Sequence, residues 1–166
     1  MLRVLAVRLN QPNPKMPEFS MVKEDGLNRL MNAAMALLVR REYSRAELRE
    51  RLLRRFPEPA VETVLDMLAQ QDLQSDTRFV ENFVRYRVRQ GKGPQKIRQD
   101  LLLKGIDADL VNELIPSDPE FWLEVAKEVY HRKYDGIAGS QQELGRRLRF
   151  MVARGFSANQ VYAIVR

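Results

Sequence analysis

Apolar residues recur at intervals of three and four along most of this chain, the spacing that places them on one face of a helix. The first such stripe follows Gly26 and consists of Leu27, Leu30, Met31, Ala34, Leu37 and Leu38. Ser44, with Glu47 three residues later, is a capping-box pattern that predicts the start of a second helix. Two prolines end that helix, and a third stripe follows: Val61, Val64, Leu65 and Leu68. The pattern predicts a three-helix unit of about 50 residues.

The same signals recur in a second unit. Gly91 ends its first helix, Pro94 opens its second and Gly105 ends that one, in agreement with the usual places of glycine and proline at helix ends. Its apolar stripes contain Phe79, Phe83, Tyr86, Ile97, Leu101, Val111, Leu114 and Ile115. Ser44 aligns with Gly93 at an offset of 49 positions. We expect this offset to hold for the third helices, so that Val61 matches Leu110 and Leu65 matches Leu114.

A third unit follows Ser117-Asp118-Pro119, which is a strong helix-start signal. Its first helix carries Phe121, Trp122, Val125, Val129 and Tyr130. After a glycine-containing loop, Ser140 and Ser157 are the predicted caps of two further helices. Arg154-Gly155-Phe156 repeats Lys104-Gly105-Ile106 at an offset of 50 positions. The chain therefore contains three tandem units.

This organisation predicts an all-α fold of three tandem three-helix, helix-turn-helix-like repeats that form an elongated, curved array. Helices this short become stable mainly by packing on their neighbours. We place the repeats at 26–74, 75–116 and 117–166. Residues 1–25 contain three prolines and are predicted to be a flexible or variable N-terminal arm, with the first helix beginning near Gly26. A long continuous face suits a polymer or filament better than a small substrate.

Composition narrows the possible chemistry. The chain has no cysteine and one histidine, which excludes disulfides, thiol catalysis, cysteine-based zinc sites and multi-histidine metal sites. His131 has no catalytic partner in the sequence, and Gly91-Lys92-Gly93 lacks the strand and the spacing of a phosphate-binding loop. No apolar run approaches the roughly 18–20 residues of a membrane span. We expect a cytoplasmic, monomeric protein that is not an enzyme and has no cofactor or metal.

The net charge is +6 and the isoelectric point is about 9.8, which favours an anionic partner. Cations near helix C-termini also have a structural role, because they interact favourably with the helix dipole. Taken together, however, the clusters in the second and third units predict a binding surface for a partner or nucleic acid. Its candidate residues are Arg78, Arg85, Arg89, Lys92, Lys96, Arg98, Lys104, Arg132, Lys133, Arg146, Arg147, Arg149 and Arg154.

Reading of DNA bases is weakly supported by the sequence. A recognition helix would offer Arg, Asn or Gln to base edges, and Gln95, Arg98 and Gln99 are of those types. The matching residues of the first unit, Arg45, Arg49 and Glu50, share no such code. Affinity for the nucleic-acid backbone stays open, since it needs only cations.

Four segments resemble the RecX regulatory family. Residues 91–106, GKGPQKIRQDLLLKGI, resemble its GxGPxxIxxxLxxKGI signature, and residues 76–83, DTRFVENF, resemble its DxRFAxxF segment. Residues 43–52 are similar to its SxxELxxK/RL stretch, and residues 149–156 to its closing RFLxxRGF. The match runs from Gly26 to Arg166 in the family's order. Two positions depart from it: Lys92 replaces a usual aromatic, and Asp72 stands where a Gly-Tyr pair is common.

The resemblance implies a regulator of the RecA recombinase. Such proteins bind the RecA filament on DNA, lie in its groove, and suppress its ATPase, strand-exchange and co-protease activities, so that recombination and the SOS response are restrained. Binding in the groove and capping of a filament end both stay open at this stage, as does weak direct binding to DNA. The alternative interpretation is a stand-alone helical nucleic-acid-binding module.

Overall fold

The computed structural model describes residues 18–165, with side chains from Asp25 onward. In that range the chain forms nine α-helices and no strand, and no helix is long and apolar enough to cross a membrane. The helices are α1 (Glu18–Leu38), α2 (Arg45–Leu53), α3 (Glu58–Gln70), α4 (Asp76–Arg89), α5 (Pro94–Leu103), α6 (Ala108–Leu114), α7 (Pro119–His131), α8 (Gln141–Ala153) and α9 (Ala158–Val165). Each helix packs mainly within its own group of three. The predicted all-α fold of three three-helix units is confirmed.

The first unit consists of α1, α2 and α3 around its own core. Every residue of the predicted third stripe is fully buried, as are Leu30, Ala34 and Leu48. α1 begins at Glu18, so the prediction of a first helix beginning near Gly26 is wrong by eight residues. No proline lies between Pro17 and Gly26, and nothing in that segment opposes a helix. The rest of the predicted arm, residues 1–17, lies outside the described range.

The second and third units share one hydrophobic core. Ile97, Leu101 and Val111 of the second unit join Met151 and Phe156 of the third in a single buried cluster. The helix ends here follow the sequence signals: α4 and α5 end just before Gly91 and Gly105, and Ser140 caps α8 by accepting a hydrogen bond from Glu143 N. These two units therefore form one packed body, beside the separately packed first unit.

The alignment of the third helices differs from the predicted one by one residue. α2 has 9 residues and α5 has 10, so the offset between the first two units grows from 49 to 50 after these helices. The fully buried Val61 therefore corresponds to the fully buried Val111, and Leu65 to Ile115. The predicted matches with Leu110 and Leu114 are wrong, because these two residues lie at the edge of the core.

Both joints between units are built in the same way. The main-chain carbonyl that follows the second helix of the later unit meets the start of the second helix of the earlier unit. At the first joint the Lys104 carbonyl accepts from Ser44 Oγ at 2.8 Å. At the second joint the Arg154 carbonyl accepts from Gly93 N at 2.7 Å. Lys104 and Arg154 are equivalent in the repeat, as are Ser44 and Gly93, so equivalent positions meet at both joints, with a side-chain hydroxyl as donor at the first and a main-chain N–H at the second.

The second joint is a contact between two stretches of bare backbone. A Cβ atom on Gly93 would lie 2.5 Å from the carbonyl carbon and oxygen of Gly155. Gly155 has φ +95°, a conformation that favours glycine, and a Cβ there would lie 2.4 Å from Lys96 N. A side chain at either position would separate the two units.

Candidate partner-binding surface

Four of the thirteen predicted binding residues are held by carboxylates of this chain. Lys96 pairs with Asp100 at 3.0 Å and Lys104 with Glu47 at 2.6 Å. Arg78 pairs with Glu42 at 3.0 Å and with Asp72 at 2.6 Å. The fourth is Arg147, paired with Glu143. Part of their charge is therefore neutralised before any partner binds.

Asp72 explains one departure from the family pattern. Its φ is +54°, the left-handed conformation in which glycine is favoured and aspartate is tolerated. The carboxylate that a glycine would lack accepts a hydrogen bond from Arg78. Arg78 also donates to Glu42, so it links both carboxylates to the start of α4. We expect Arg78 to be structural for this reason.

Arg147 does not belong to the surface. It is only 5% exposed, and its guanidinium donates to the hydroxyl of Tyr130 and to the main-chain oxygen of Gly136, both at 2.8 Å. The hydrogen bonds to Tyr130 and to Glu143 raise the pKa of Arg147, and the bond to Glu143 lowers the pKa of that carboxyl. The residue ties the loop before α8 to α7. We therefore remove it from the candidate surface, because a partner cannot reach it.

A half-buried carboxylate, that of Glu47, links the first two units. Burial raises the pKa of Glu47, but the hydrogen bonds from Lys104 and Arg41 outweigh that effect and leave the pKa below its usual value. The same balance lowers the pKa of Asp100, where Lys96 and Arg87 oppose the effect of burial. The side chain of Glu47 thus spans the first joint. The predicted capping box is half formed, since Ser44 Oγ accepts from Glu47 N while the Glu47 carboxylate binds these cations instead.

The remaining nine candidates form no ion pair with a carboxylate in the described part of the chain. They are Arg85, Arg89, Lys92, Arg98, Arg132, Lys133, Arg146, Arg149 and Arg154. Two of them donate to amide side chains, Arg85 to Asn82 at 2.9 Å and Arg98 to Asn112. Arg89, Arg132, Lys133, Arg146 and Arg149 are exposed. Most of the unneutralised positive charge of units two and three is therefore open to a partner.

A cleft opens at each joint, and the sequence did not predict either. The first, of about 580 Å³, is lined by Phe79, Phe83 and Tyr86 of α4, with Arg41 and Lys104 among its other residues. Tyr86 was predicted to lie in the core stripe of α4, but it is 57% exposed because it faces this cleft, while Val80 and Val84 are buried. Both cations of this cleft bind Glu47, Arg41 at 3.1 Å.

The second cleft, of about 400 Å³, has different chemistry. Its lining includes Arg132 and Lys133 from the end of α7, and Phe150 and Arg154 from α8. Lys133 Nζ lies 3.8 Å from the centre of the Phe150 ring, and the Arg154 guanidinium lies 4.6 Å from it. Arg154 also donates to the main-chain oxygens of Gln90 and Gly91, at 3.1 and 3.3 Å. This cleft brings three predicted candidates together around one opening.

Within the described residues, no three histidine or acidic side chains are grouped so as to hold a metal ion. The arrangement offers clustered guanidinium and ammonium groups and two open clefts. Such groups bind anions and protein surfaces by charge and hydrogen bonding.

Comparison with known proteins agrees with this architecture. Residues 31–68 match the family model described as RecX, first three-helix domain, and residues 75–115 match RecX, second three-helix domain. Regulatory protein RecX of Halorhodospira halophila is 39% identical over 134 residues, 80% of this chain and 83% of that protein. Its counterpart in Chromohalobacter salexigens is 39% identical over 129 residues, 77% of this chain and 85% of that protein.

Solved structures show the same fold. The crystal structure of RecX from Lactobacillus salivarius superposes with a TM-score of 0.74 at 22% identity, over 86% of this chain and 96% of that one. That similarity extends across all three units. The sequence relatives establish the family: this chain belongs to the RecX family of regulatory proteins.

Proposed function

We propose that this chain is a non-enzymatic regulator that binds the RecA filament on DNA and inhibits its recombinase, ATPase and co-protease activities. By doing so it would restrain recombination and the SOS response in the cytoplasm. Family membership supports a regulatory role, and the motif resemblance supports RecA as the target. The proposed contact surface is the set of nine unneutralised cations in units two and three.

The observation that carries the proposal is the set of nine cations in units two and three that have no carboxylate partner within the described residues. In the first unit, Arg45, Arg49 and Arg54 pair with carboxylates, whereas the exposed Arg40 and Arg55 form no ion pair in the described range. The nine cations of units two and three are the larger unneutralised set. Unneutralised charge on one part of a protein speeds its encounter with an acidic surface. Repeated weak contacts along a filament add to one another, because each bound contact raises the effective concentration of the next.

A direct test is co-sedimentation with RecA assembled on single-stranded DNA, beside a control with DNA alone. The proposed regulator sediments with the nucleoprotein filament at protein concentrations at which it leaves naked DNA unbound. The alternative, a stand-alone nucleic-acid-binding module, is favoured by the same cations. It requires tight, steeply salt-dependent binding to naked DNA with no further gain when RecA is present.

A charge-reversal pair tests the surface itself. Arg89→Glu/Lys92→Glu reverses the charge of two cations that form no ion pair within the described residues. The control Arg40→Glu/Arg55→Glu makes the same charge change at exposed positions of the first unit. Loss of two exposed attractions and gain of two repulsions is worth roughly 1–2 kcal/mol, or about five- to thirtyfold in the concentration needed to inhibit the RecA ATPase. Equal inhibition by both variants, with unchanged circular dichroism, would show that the surface lies elsewhere.

A further inference from the structure

The two clefts are equivalent places in the repeat, but their charge differs at one decisive position. Lys104 of the first cleft corresponds to Arg154 of the second, so each cleft receives a cation from the end of its α5 or α8 helix. In the first joint that cation binds Glu47. The residue that corresponds to Glu47 in the second unit, at the offset of 49, is Lys96. The second unit therefore has a cation at the position of the carboxylate that neutralises the first cleft.

Among the described residues, no carboxylate pairs with the cations of the second cleft. Arg132, Lys133 and Arg154 line the opening, and none of them pairs with a carboxylate within the described range. Asp100 already pairs with Lys96 and Arg87, so its carboxylate does not neutralise the cations of the second cleft. The second joint thus holds three cations in one cleft that is open to solvent. An anion supplied from outside would complete it.

We propose that the cleft between units two and three binds a backbone phosphate of nucleic acid. Arg154 is fixed by its bonds to the Gln90 and Gly91 carbonyls and by its stacking on Phe150, so it presents a preoriented guanidinium. Arg132 and Lys133 are exposed at the cleft and supply further donors. Arg and Lys together are the usual donors to phosphate oxygens. The inference rests on the proposed function, in which the phosphate belongs to the DNA of the filament.

A phosphate fits the cleft better than a protein carboxylate does. Elsewhere in this chain one carboxylate takes two cations, as Glu47 takes Arg41 and Lys104. Here three cations share a cleft of about 400 Å³, which has room for a phosphate with its attached sugar. Lys133 and Arg154 both lie against the Phe150 ring, so this ring is not available to stack on a nucleic-acid base. The cleft is therefore expected to bind the backbone and to be indifferent to base sequence.

The test measures binding of a fluorescein-labelled oligothymidylate by anisotropy over a range of salt concentrations. Arg132→Gln/Lys133→Gln removes two cations of the cleft and leaves Arg154 in place for the fold. Arg40→Gln/Arg55→Gln removes the same charge from the first unit. Each neutralised phosphate of a single strand contributes about 0.7 to the slope of log K against log salt, so the cleft variant, which loses one phosphate contact, should lower that slope by about 0.7 and weaken binding about fivefold at about 0.1 M salt. The control should keep the wild-type slope.

Three results would overturn the inference: no binding by the wild type at low salt, an unchanged slope for the cleft variant, or equal losses in both variants. Loss of binding to the RecA filament with unchanged binding to the oligonucleotide would also overturn it, because the cleft would then contact an acidic protein surface. That last result would leave the proposed function standing. Failure of the wild type to prefer the filament over naked DNA would reject the proposed function alone.

Discussion

Gly93→Ala adds a single methyl group at the contact between units two and three. Gly93 has φ −83° and ψ 170°, a backbone conformation that alanine adopts without strain. The change therefore tests the close approach of the two backbone segments and nothing else. The new Cβ would lie 2.5 Å from the Gly155 carbonyl and 2.7 Å from Phe156 N, so the two backbone segments must move apart.

The cost follows from what that movement breaks. Forcing a methyl group into a packed site costs about 1–3 kcal/mol. The separation also strains two hydrogen bonds, from Gly93 N to Arg154 O at 2.7 Å and from Gln95 N to Gly155 O at 3.2 Å. Each is worth about 1 kcal/mol. We expect a total loss of about 2–4 kcal/mol, which lowers Tm by roughly 5–15 °C in a chain of this size.

Two optical signals make the assay specific. Trp122 is the only tryptophan of the chain and is buried in the core shared by units two and three, so its fluorescence reports on that body. Far-UV circular dichroism reports on all helices. Gly26→Ala is the matched control: nothing lies within 4 Å of its new Cβ, and alanine in a helix interior is favoured by up to about 1 kcal/mol. A Gly93→Ala protein that unfolds at the wild-type temperature by tryptophan fluorescence would refute the close contact.

Three further predictions concern stability. Ser44→Ala removes the cap on Glu47 N and the donor to the Lys104 carbonyl, and urea unfolding should show a loss of about 1–3 kcal/mol. Because the pKa of Glu47 is lowered in the folded state, its ionised form stabilises the fold above pH 4.5. This contribution is lost as the pH falls through the folded pKa. Glu47→Gln should therefore have a lower free energy of unfolding than the wild type at neutral pH, with the difference vanishing in acid. Arg147→Ala should lower Tm clearly while the exposed neighbours Arg146→Ala and Arg149→Ala leave it unchanged, and equal melting of all three would contradict the buried role of Arg147.

Local signals in the sequence were sufficient to predict the helices of the described range. Serine caps, an N1 proline and C-terminal glycines act within one turn, so Ser140, Pro94 and Gly105 could be interpreted without knowledge of tertiary contacts. The start of α1 was misplaced because no stop signal exists between Pro17 and Gly26, and absence of a stop is harder to interpret than its presence.

The binding surface was less predictable, because the same residue type serves opposite purposes. Arg146 and Arg147 are adjacent and chemically identical, yet one is exposed and the other is buried against Tyr130. Burial of Arg147 depends on where the loop before α8 folds, which periodicity does not report. The charge reversal between Glu47 and Lys96 was visible at the offset of 49, but its meaning depends on knowing that both positions lie beside a joint.

The repeated joint also bears on whether copies of the protein can assemble with one another. Each joint is a head-to-tail contact between unlike surfaces, and such contacts build open fibres when both surfaces of every copy are free. In the first unit the position equivalent to Gly105 and Gly155 is Arg55. A Cβ at Gly105 would approach Ala46 Cβ to 2.4 Å, so a residue as large as arginine cannot make this contact. Arg55 thus blocks this contact at the first unit, and copies of the protein are not expected to polymerise through the contact that joins its own units.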